Sequence, residues 1–278
     1  VVAAIPHCHW VDGAKLDLAR VSRACDDRGA ALVVDATQSL GVLPLDLDGP
    51  LKRLDAVCAS THKWLLGPYG CSLVYVADTF PRQQSKKNGS ATTLAALPEL
   101  VHDEHHLLLG GLKLSDDDVV AFDTEAGYDR SALDHAGARA LDGGGRPNPV
   151  ILPMVAEGLR CLVDDVGGPA KVAAHAETLS AYALDRLAAT SVGDVWTTPR
   201  VRAPHILGLR PASSQHNTGS ATKTVVDCAA FLKTRHAVHT TGRLGGLRVS
   251  FHVYNTRADV DRLIDGLADF VATQAVET

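Results

Sequence analysis

The sequence predicts an α/β fold with a mainly parallel sheet, followed by a smaller α+β domain. Two apolar runs, Ala30-Ala31-Leu32-Val33-Val34 and Ala56-Val57-Cys58-Ala59, are bounded by turn residues, which is typical of strands buried on both faces. A third predicted strand, 71–76, follows the turn Gly67-Pro68-Tyr69-Gly70. Helical spacing of apolar residues over 12–28 precedes the first run. Helices that alternate with strands favour a parallel sheet covered by helices.

The second half of the chain is predicted to form a small α+β domain, because short strands alternate there with longer helical patterns. We expect a first domain at 1–148, with an irregular insertion at 81–130, and a second domain at 149–278. The predicted helices lie at 150–166, 170–189, 222–236 and 257–272, and the predicted strands near 192–197, 205–210 and 246–251.

Composition sets broad limits. The chain has 278 residues, of which 46% are apolar and 21% charged, as in an ordinary soluble protein with a large core. A net charge of −5 argues against a nucleic-acid partner. No uninterrupted apolar run approaches the roughly 20 residues that span a bilayer, so no membrane partner is expected. Six scattered cysteines without paired spacing indicate a reducing compartment, and a cytoplasmic location is expected.

An acid and an amine follow two neighbouring predicted strands. Asp35 comes directly after the run that ends at Val34, and Lys63 comes shortly after the run that ends at Ala59. Because ligands of such sheets bind outside the carboxyl ends of the strands, both side chains should face one crevice. This pair suits pyridoxal 5'-phosphate, in which a lysine forms a Schiff base with the cofactor and an acid holds the pyridinium nitrogen.

Three neighbouring polar residues extend the predicted cofactor site. Gln38 lies three residues after Asp35, close enough to donate a hydrogen bond to the ring oxygen of the cofactor. Ser60 and His62 flank Lys63 and could donate to its phosphate. We therefore predict Lys63 as the catalytic residue and Asp35, Gln38, Ser60, His62 and Lys63 as cofactor-binding residues.

The order of these motifs resembles the fold-type I pyridoxal phosphate enzymes of aminotransferase class V, which include cysteine desulfurases, selenocysteine lyases, kynureninases and isopenicillin-epimerase-like proteins. The resemblance covers most of the chain and is weakest at 81–128. It rests on Trp10-Val11-Asp12-Gly13, on the stretch from Val34-Asp35-Ala36-Thr37-Gln38 to Gly41, on His62-Lys63-Trp64-Leu65-Leu66-Gly67-Pro68, and on the late motif Leu247-Arg248-Val249-Ser250-Phe251-His252-Val253-Tyr254-Asn255-Thr256.

The resemblance implies a substrate contact and a homodimer. In the family the arginine of the late motif binds the α-carboxylate of the substrate, a role that falls to Arg248, whose planar guanidinium suits a bidentate contact. The segment Gly145-Arg146-Pro147-Asn148 is similar to the family's loop that reaches the phosphate of the neighbouring subunit, although proline stands where a hydroxyl residue is common.

The beginning of the sequence predicts an incomplete large domain. The chain opens on Val1-Val2-Ala3-Ala4-Ile5-Pro6, which reads as the inside of a buried strand. Family members carry well over a hundred residues before this strand, including the phosphate-binding loop and the aromatic side chain that stacks on the ring. We therefore expect an amino-terminally truncated fragment, and organellar targeting stays open.

Several reactions fit the predicted cofactor. Lyase, epimerase and aminotransferase chemistry remain open, with His239 as a possible substrate contact. A cysteine desulfurase of this family needs a mobile cysteine between the late helix and the Arg248 strand, and none occurs there, because Cys228 lies earlier on a predicted packed helix face. A desulfurase-like enzyme is the alternative, and a catalytically incompetent fragment or interaction module is a second one.

No metal site is predicted. His102, His105 and His106, together with His7 and His9, have no fixed ligand framework and no carboxylate at an established spacing.

Overall fold

A computed structural model describes residues 1–77 except 48, 50 and 52, residues 113–114 and 120–121, residues 148–211 except 195, and residues 218–276. Most of the predicted insertion at 81–130 therefore lies outside the described residues, apart from two short antiparallel strands, β5 (Lys113–Leu114) and β6 (Val120–Ala121). The domain boundary predicted near 148 stays a prediction.

The first sheet contains four strands in the order β1-β2-β3-β4. The first three run parallel, whereas β4 pairs antiparallel with β3. The segment 61–71 between β3 and β4 contains no helix, whereas a parallel pair needs a crossover of about a dozen residues or more, usually a helix. The predicted α/β fold with a mainly parallel sheet is confirmed. The strands are β1 (Val2–Pro6), β2 (Ala31–Asp35), β3 (Ala56–Ser60) and β4 (Ser72–Val76).

The first helix is shorter than predicted. Helix α1 (Leu18–Asp26) begins six residues later than the expected start at Asp12. The prediction was wrong there because Gly13 has a φ of 73°, in the left-handed region, and turns the chain back so that Cys8 and Lys15 form an antiparallel bridge. The helix starts only where the side chain of Asp17 accepts a hydrogen bond from the main-chain N–H of Arg20 at 3.0 Å.

The second half forms an antiparallel sheet in the order β7-β8-β10-β9, packed against helices. The four predicted helices are present, although 161–165 is a π-helical turn. The strand expected at 192–197 is only two residues long and follows a 3₁₀ turn at Ser191–Asp194, and β9 was not predicted. The elements are α2 (Ile151–Arg160), α3 (Pro169–Ala188), β7 (Trp196–Thr197), β8 (Ile206–Pro211), α4 (Thr218–His236), β9 (Thr241–Arg243), β10 (Gly246–Ser250) and α5 (Arg257–Val276).

The side chains of β8 and β10 point alternately to the core of the second half and to the first sheet. Leu207 and Leu247 are fully buried in the core formed with α3, α4 and α5. Ile206, one residue before Leu207, instead packs in the core of the first sheet with Leu32. Successive side chains of a strand point to opposite faces, so Arg248, next to Leu247, lies on the face turned towards the first sheet. The second sheet thereby brings Arg248 to the first.

Among the described residues, no helix combines the length and hydropathy that a membrane span requires.

Candidate active site

The carboxyl ends of β2 and β3 bring the predicted acid and amine to one edge of the sheet. Asp35 is the last residue of β2, and the neighbouring parallel strand β3 ends at Ser60, three residues before Lys63. Both charged side chains are exposed. Within the described residues, neither forms an ion pair, so opposite charges stand close to each other without a direct salt bridge.

The surroundings of the Lys63 amine lower its pKa. Partial burial of the amine lowers the pKa, the positive charge of Arg248 lowers it further, and the Asp35 carboxylate raises it. Such charge effects decay with distance, and Arg248 Nη2 is also hydrogen-bonded to Gln38, three residues after Asp35, so the three groups occupy one region. The structure therefore brings together Asp35, Lys63 and Arg248, which lie far apart in the sequence.

Hydrogen bonds between side chains and main-chain N–H groups fix the segment around Asp35. The Oδ1 atom of Asp35 accepts a hydrogen bond from the main-chain N–H of Thr37 at 2.9 Å. The hydroxyl of Thr37 in turn accepts one from the main-chain N–H of Ser60 at 3.2 Å. Thr37 thus ties the ends of β2 and β3 together, a contribution that the sequence did not reveal.

The amide of Gln38 has one defined orientation. Its Oε1 accepts hydrogen bonds from Trp64 Nε1 and from Arg248 Nη2, each at 3.2 Å. Indole and guanidinium groups only donate, so the amide oxygen must face them. Among the described residues, Nε2 has no hydrogen-bond partner, and the predicted contact of Gln38 with the cofactor stays a prediction.

The turn that carries Lys63 is closed by a buried threonine. Thr61 Oγ1 lies 3.0 Å from the main-chain oxygens of both Pro68 and Cys71. Beside it, the His62 ring stacks on the Tyr69 ring, with centroids 4.1 Å apart and an interplanar angle of 18°. His62 and Ser60 lie at the same edge as Lys63, and their predicted contact with the cofactor phosphate stays a prediction. The contributions of Thr61 and Tyr69 were not predicted.

Arg248 is held by three hydrogen bonds. Nη1 donates to the main-chain oxygen of Trp10 at 2.8 Å, Nη2 to Gln38 Oε1, and Nε to Ser250 Oγ at 3.0 Å. Burial lowers its pKa, and the charge of Arg243 also lowers it, while Cys8 acts in the opposite direction. These partners hold the guanidinium at the edge of the first sheet.

A buried cluster of aromatic rings packs next to the candidate site, and the sequence did not predict it. Trp64 lies edge-on to His205 at 4.4 Å and is stacked with His252 at 5.6 Å. His205 Nε2 lies 2.5 Å from the main-chain oxygen of Gln38, so Nε2 carries the proton. Burial lowers the pKa of His205 to about 4. The neutral imidazole therefore holds the main chain at Gln38 through this hydrogen bond.

Other candidates have separate places in the structure. Cys228 is fully buried in the second core, as predicted, and burial raises its pKa to about 12. His239 is exposed between α4 and β9, and its role stays a prediction. Asn148 Oδ1 accepts a hydrogen bond from the main-chain N–H of Val150. The other residues of its glycine-rich segment lie outside the described residues.

The structure gives each amino-terminal histidine a protein partner. His7 Nδ1 is hydrogen-bonded to Ser39 Oγ, and His9 Nδ1 lies 2.7 Å from Asp12 Oδ1. Over the described part of the chain, no three histidine, cysteine or carboxylate side chains form a group that could hold a metal ion. The histidines at 102, 105 and 106 fall outside that part.

Structural comparison first defines the class of fold. The chain matches a cysteine desulfurase of Escherichia coli with a TM-score of 0.64 and 20% identity, covering 98% of this chain and 59% of that one. It also matches an alanine–glyoxylate aminotransferase of Nostoc sp., with a TM-score of 0.57 and 19% identity, over 97% of this chain and 61% of the other. The fold is that of these cysteine desulfurases and aminotransferases.

Sequence comparison shows which family the first part of the chain resembles. Residues 1–100 match the family model "Aminotransferase class-V". An uncharacterized aminotransferase of Bacillus subtilis, YcbU, is 36% identical over 76 residues, which is 27% of this chain and 20% of that protein. The cysteine desulfurase IscS of Photorhabdus laumondii is 37% identical over 76 residues, 27% of this chain and 18% of the relative. The class V aminotransferase resemblance read from the sequence is thus confirmed.

These relatives are enzymes that depend on pyridoxal phosphate. The chain spans about a fifth of the length of the curated relatives and about three fifths of that of the solved structures.

Proposed function

We propose that the protein is a pyridoxal phosphate-dependent enzyme that acts on an amino acid through Lys63. The observation that carries this proposal is the meeting of the Lys63 amine, with its lowered pKa, with Asp35 and Arg248 at the carboxyl edge of a class V aminotransferase-like sheet. When bound, the cofactor supplies an aldehyde that joins an amine and a ring that accepts electrons from the substrate.

The residues at this edge fit the cofactor. The Asp35 carboxylate is exposed and oriented by Thr37, which suits a contact that keeps the ring nitrogen protonated. Nε2 of Gln38 is assigned to the ring oxygen, because Oε1 accepts both hydrogen bonds from Trp64 and Arg248 and leaves Nε2 as the donor. The Ser60 hydroxyl and the His62 ring are assigned to the phosphate.

Lys63 acts as nucleophile and then as base. Both roles require the neutral amine, and an ordinary lysine is almost entirely protonated near pH 7. Partial burial and the charge of Arg248 lower its pKa, so a larger fraction of the amine is neutral. With the cofactor bound, Lys63 Nζ would be the group that takes the proton from the substrate Cα.

Arg248 is assigned to the α-carboxylate of the substrate. Its guanidinium is already oriented by Trp10, Gln38 and Ser250, so little side-chain freedom is lost on binding. The charge of Arg248 acts on the Lys63 amine, so a carboxylate bound by Arg248 would lie in the same region as the base. Removal of the charge by Arg248→Gln should weaken amino-acid binding much more than cofactor binding.

The choice among lyase, epimerase and aminotransferase outcomes stays open, and the thiols argue against a desulfurase. Cys58 pairs with Asp35 across β2 and β3, and Cys8 also lies close enough to feel the charges of Asp35 and Arg248. Burial raises the pKa of both thiols, that of Cys8 to about 11. Cys228 is buried in the second core. A buried, protonated thiol is a poor sulfur acceptor. The names of the relatives nevertheless keep a desulfurase-like reaction as the second candidate.

The homodimer and the cytoplasmic location are also proposals, supported by the family resemblance and by six free cysteines. A non-catalytic remnant that keeps the large-domain motif is the alternative to an enzyme.

Cofactor binding tests the proposal. The purified chain should develop a visible absorption band on addition of pyridoxal phosphate. Lys63→Ala should abolish this band, whereas Lys233→Ala, which changes an exposed lysine at the end of α4, should not. If the wild-type chain takes up no cofactor, the enzyme proposal fails and the non-catalytic remnant is the remaining alternative.

A further inference from the structure

The second sheet places another arginine beside Arg248. In the β9–β10 pair, Arg243 lies opposite Gly246, two residues before Arg248. Residues directly opposite each other share a face of the sheet, as do residues two apart along one strand, so both arginines lie on the same face. Gly246 has no side chain to separate them. The charge of Arg243 accordingly lowers the pKa of Arg248.

Both guanidinium groups also contact Trp10. Arg248 Nη1 donates to its main-chain oxygen at 2.8 Å, while Cζ of Arg243 lies 5.7 Å from the centre of its ring. The distance is within the range of a cation–π contact, which restrains the guanidinium beside the ring. Within the described residues, no acceptor is hydrogen-bonded to the N–H groups of Arg243, so they stay available for an anion. Trp10 is 37% exposed, so the ring and the arginine are open to a ligand.

The acids near these cations have other partners. Asp12, two residues from Trp10, is only 13% exposed and is engaged by the His9 ring at 2.7 Å and by Arg210 at 3.2 Å. Its Oδ1 also accepts the main-chain N–H of Ala14. In the described part of the chain, Arg243 forms no ion pair. Lys63, Arg248 and Arg243 therefore outnumber Asp35 in the region of the candidate site.

We infer that the substrate is an amino acid with a second negative charge on its side chain, and that Arg243, held on the Trp10 ring, binds that charge. The inference rests on the proposed function, which assigns Arg248 to the α-carboxylate. Arg243 then remains for the distal group, and a dicarboxylic amino acid is the chemical class that satisfies both arginines. A neutral side chain would leave Arg243 without a partner in the site.

Binding of simple carboxylates to the cofactor-free chain tests the inference without any catalysis. Calorimetry at low ionic strength should show that glutarate binds about tenfold more tightly than butyrate, the gain of one charge-assisted contact worth ~1.4 kcal/mol. Arg243→Gln should remove this advantage, and Arg243→Lys should restore part of it. Arg235→Gln, which changes an exposed arginine at the end of α4, should leave the advantage intact.

Three results would overturn the inference. One is equal binding of glutarate and butyrate by the wild-type chain, and another is a preference for glutarate that survives Arg243→Gln. The third is an Arg243→Gln variant that loses pyridoxal phosphate affinity together with glutarate affinity, since Arg243 would then serve the cofactor phosphate. Failure of the proposed function has a different signature, because the wild-type chain would take up no cofactor whatever its preference among carboxylates.

Discussion

Replacement of Gln38 by leucine should separate the hydrogen-bonding role of this side chain from its packing. Leucine keeps a comparable volume but removes Oε1, which accepts from Trp64 Nε1 and Arg248 Nη2. Trp64 is 6% exposed, so its N–H would be left unpaired in the interior, at a cost of about 1–3 kcal/mol. Arg248 keeps its hydrogen bonds to Trp10 and Ser250, so the loss of its hydrogen bond to Gln38 should cost only about 1 kcal/mol of stability. We expect Gln38→Leu to lower the free energy of unfolding by about 2–4 kcal/mol.

Urea unfolding followed by tryptophan fluorescence measures this loss as a lower midpoint at an unchanged slope. Gln38→Glu is the matched variant, because it retains oxygen acceptors for both partners but has no amide donor. It should keep most of the stability and still weaken cofactor binding. Equal loss of stability in the leucine and glutamate variants would refute the assigned hydrogen bonds.

Two further predictions concern stability. Gly41→Ala should destabilise the fold by about 2 kcal/mol or more, because φ is 97° and the added Cβ would lie 2.3 Å from the main-chain oxygen of Trp64. Gly29→Ala is the matched control: φ is 60° and no atom lies within 4 Å of the added Cβ, so it should cost only about 1 kcal/mol. Similar urea midpoints for these two variants would contradict the close approach at Gly41. His205 has a pKa of about 4 in the folded chain and about 6.5 when unfolded, so the unfolded state binds more protons between these values. Its contribution to stability should fall by roughly 3 kcal/mol as the pH drops through this window, in addition to that of His7, whose pKa burial also lowers to about 4. His205→Gln should flatten that slope in urea unfolding at a series of pH values, and an unchanged slope would exclude His205 as its source.

Much of the first sheet could be predicted because its strands are short apolar runs bounded by turn residues. The same pattern located Asp35 and Lys63, since each directly or closely follows such a run. Arg248 was found only through the late family motif. Its approach to the first sheet depends on alternation along β10 and on the packing of Ile206 into the first core, which no local pattern encodes.

The errors have equally local causes. The helix expected from Asp12 begins at Leu18, because apolar spacing does not reveal that Gly13 turns the chain back. Strand β9 has only three residues and no apolar alternation, so it was missed, and Arg243 with it. Trp64 and His205 are 141 positions apart in the sequence, and nothing in either segment indicates that their rings meet.

The most direct test of the central claim is to identify the lysine that carries the cofactor. The full chain would be incubated with pyridoxal phosphate, reduced with borohydride, digested and analysed by mass spectrometry. The account predicts a single pyridoxyl-phosphate label on Lys63, which becomes much weaker in the Asp35→Asn variant. A label on another lysine, or one spread evenly over the exposed lysines, would contradict the placement of Asp35 and Lys63 around one cofactor.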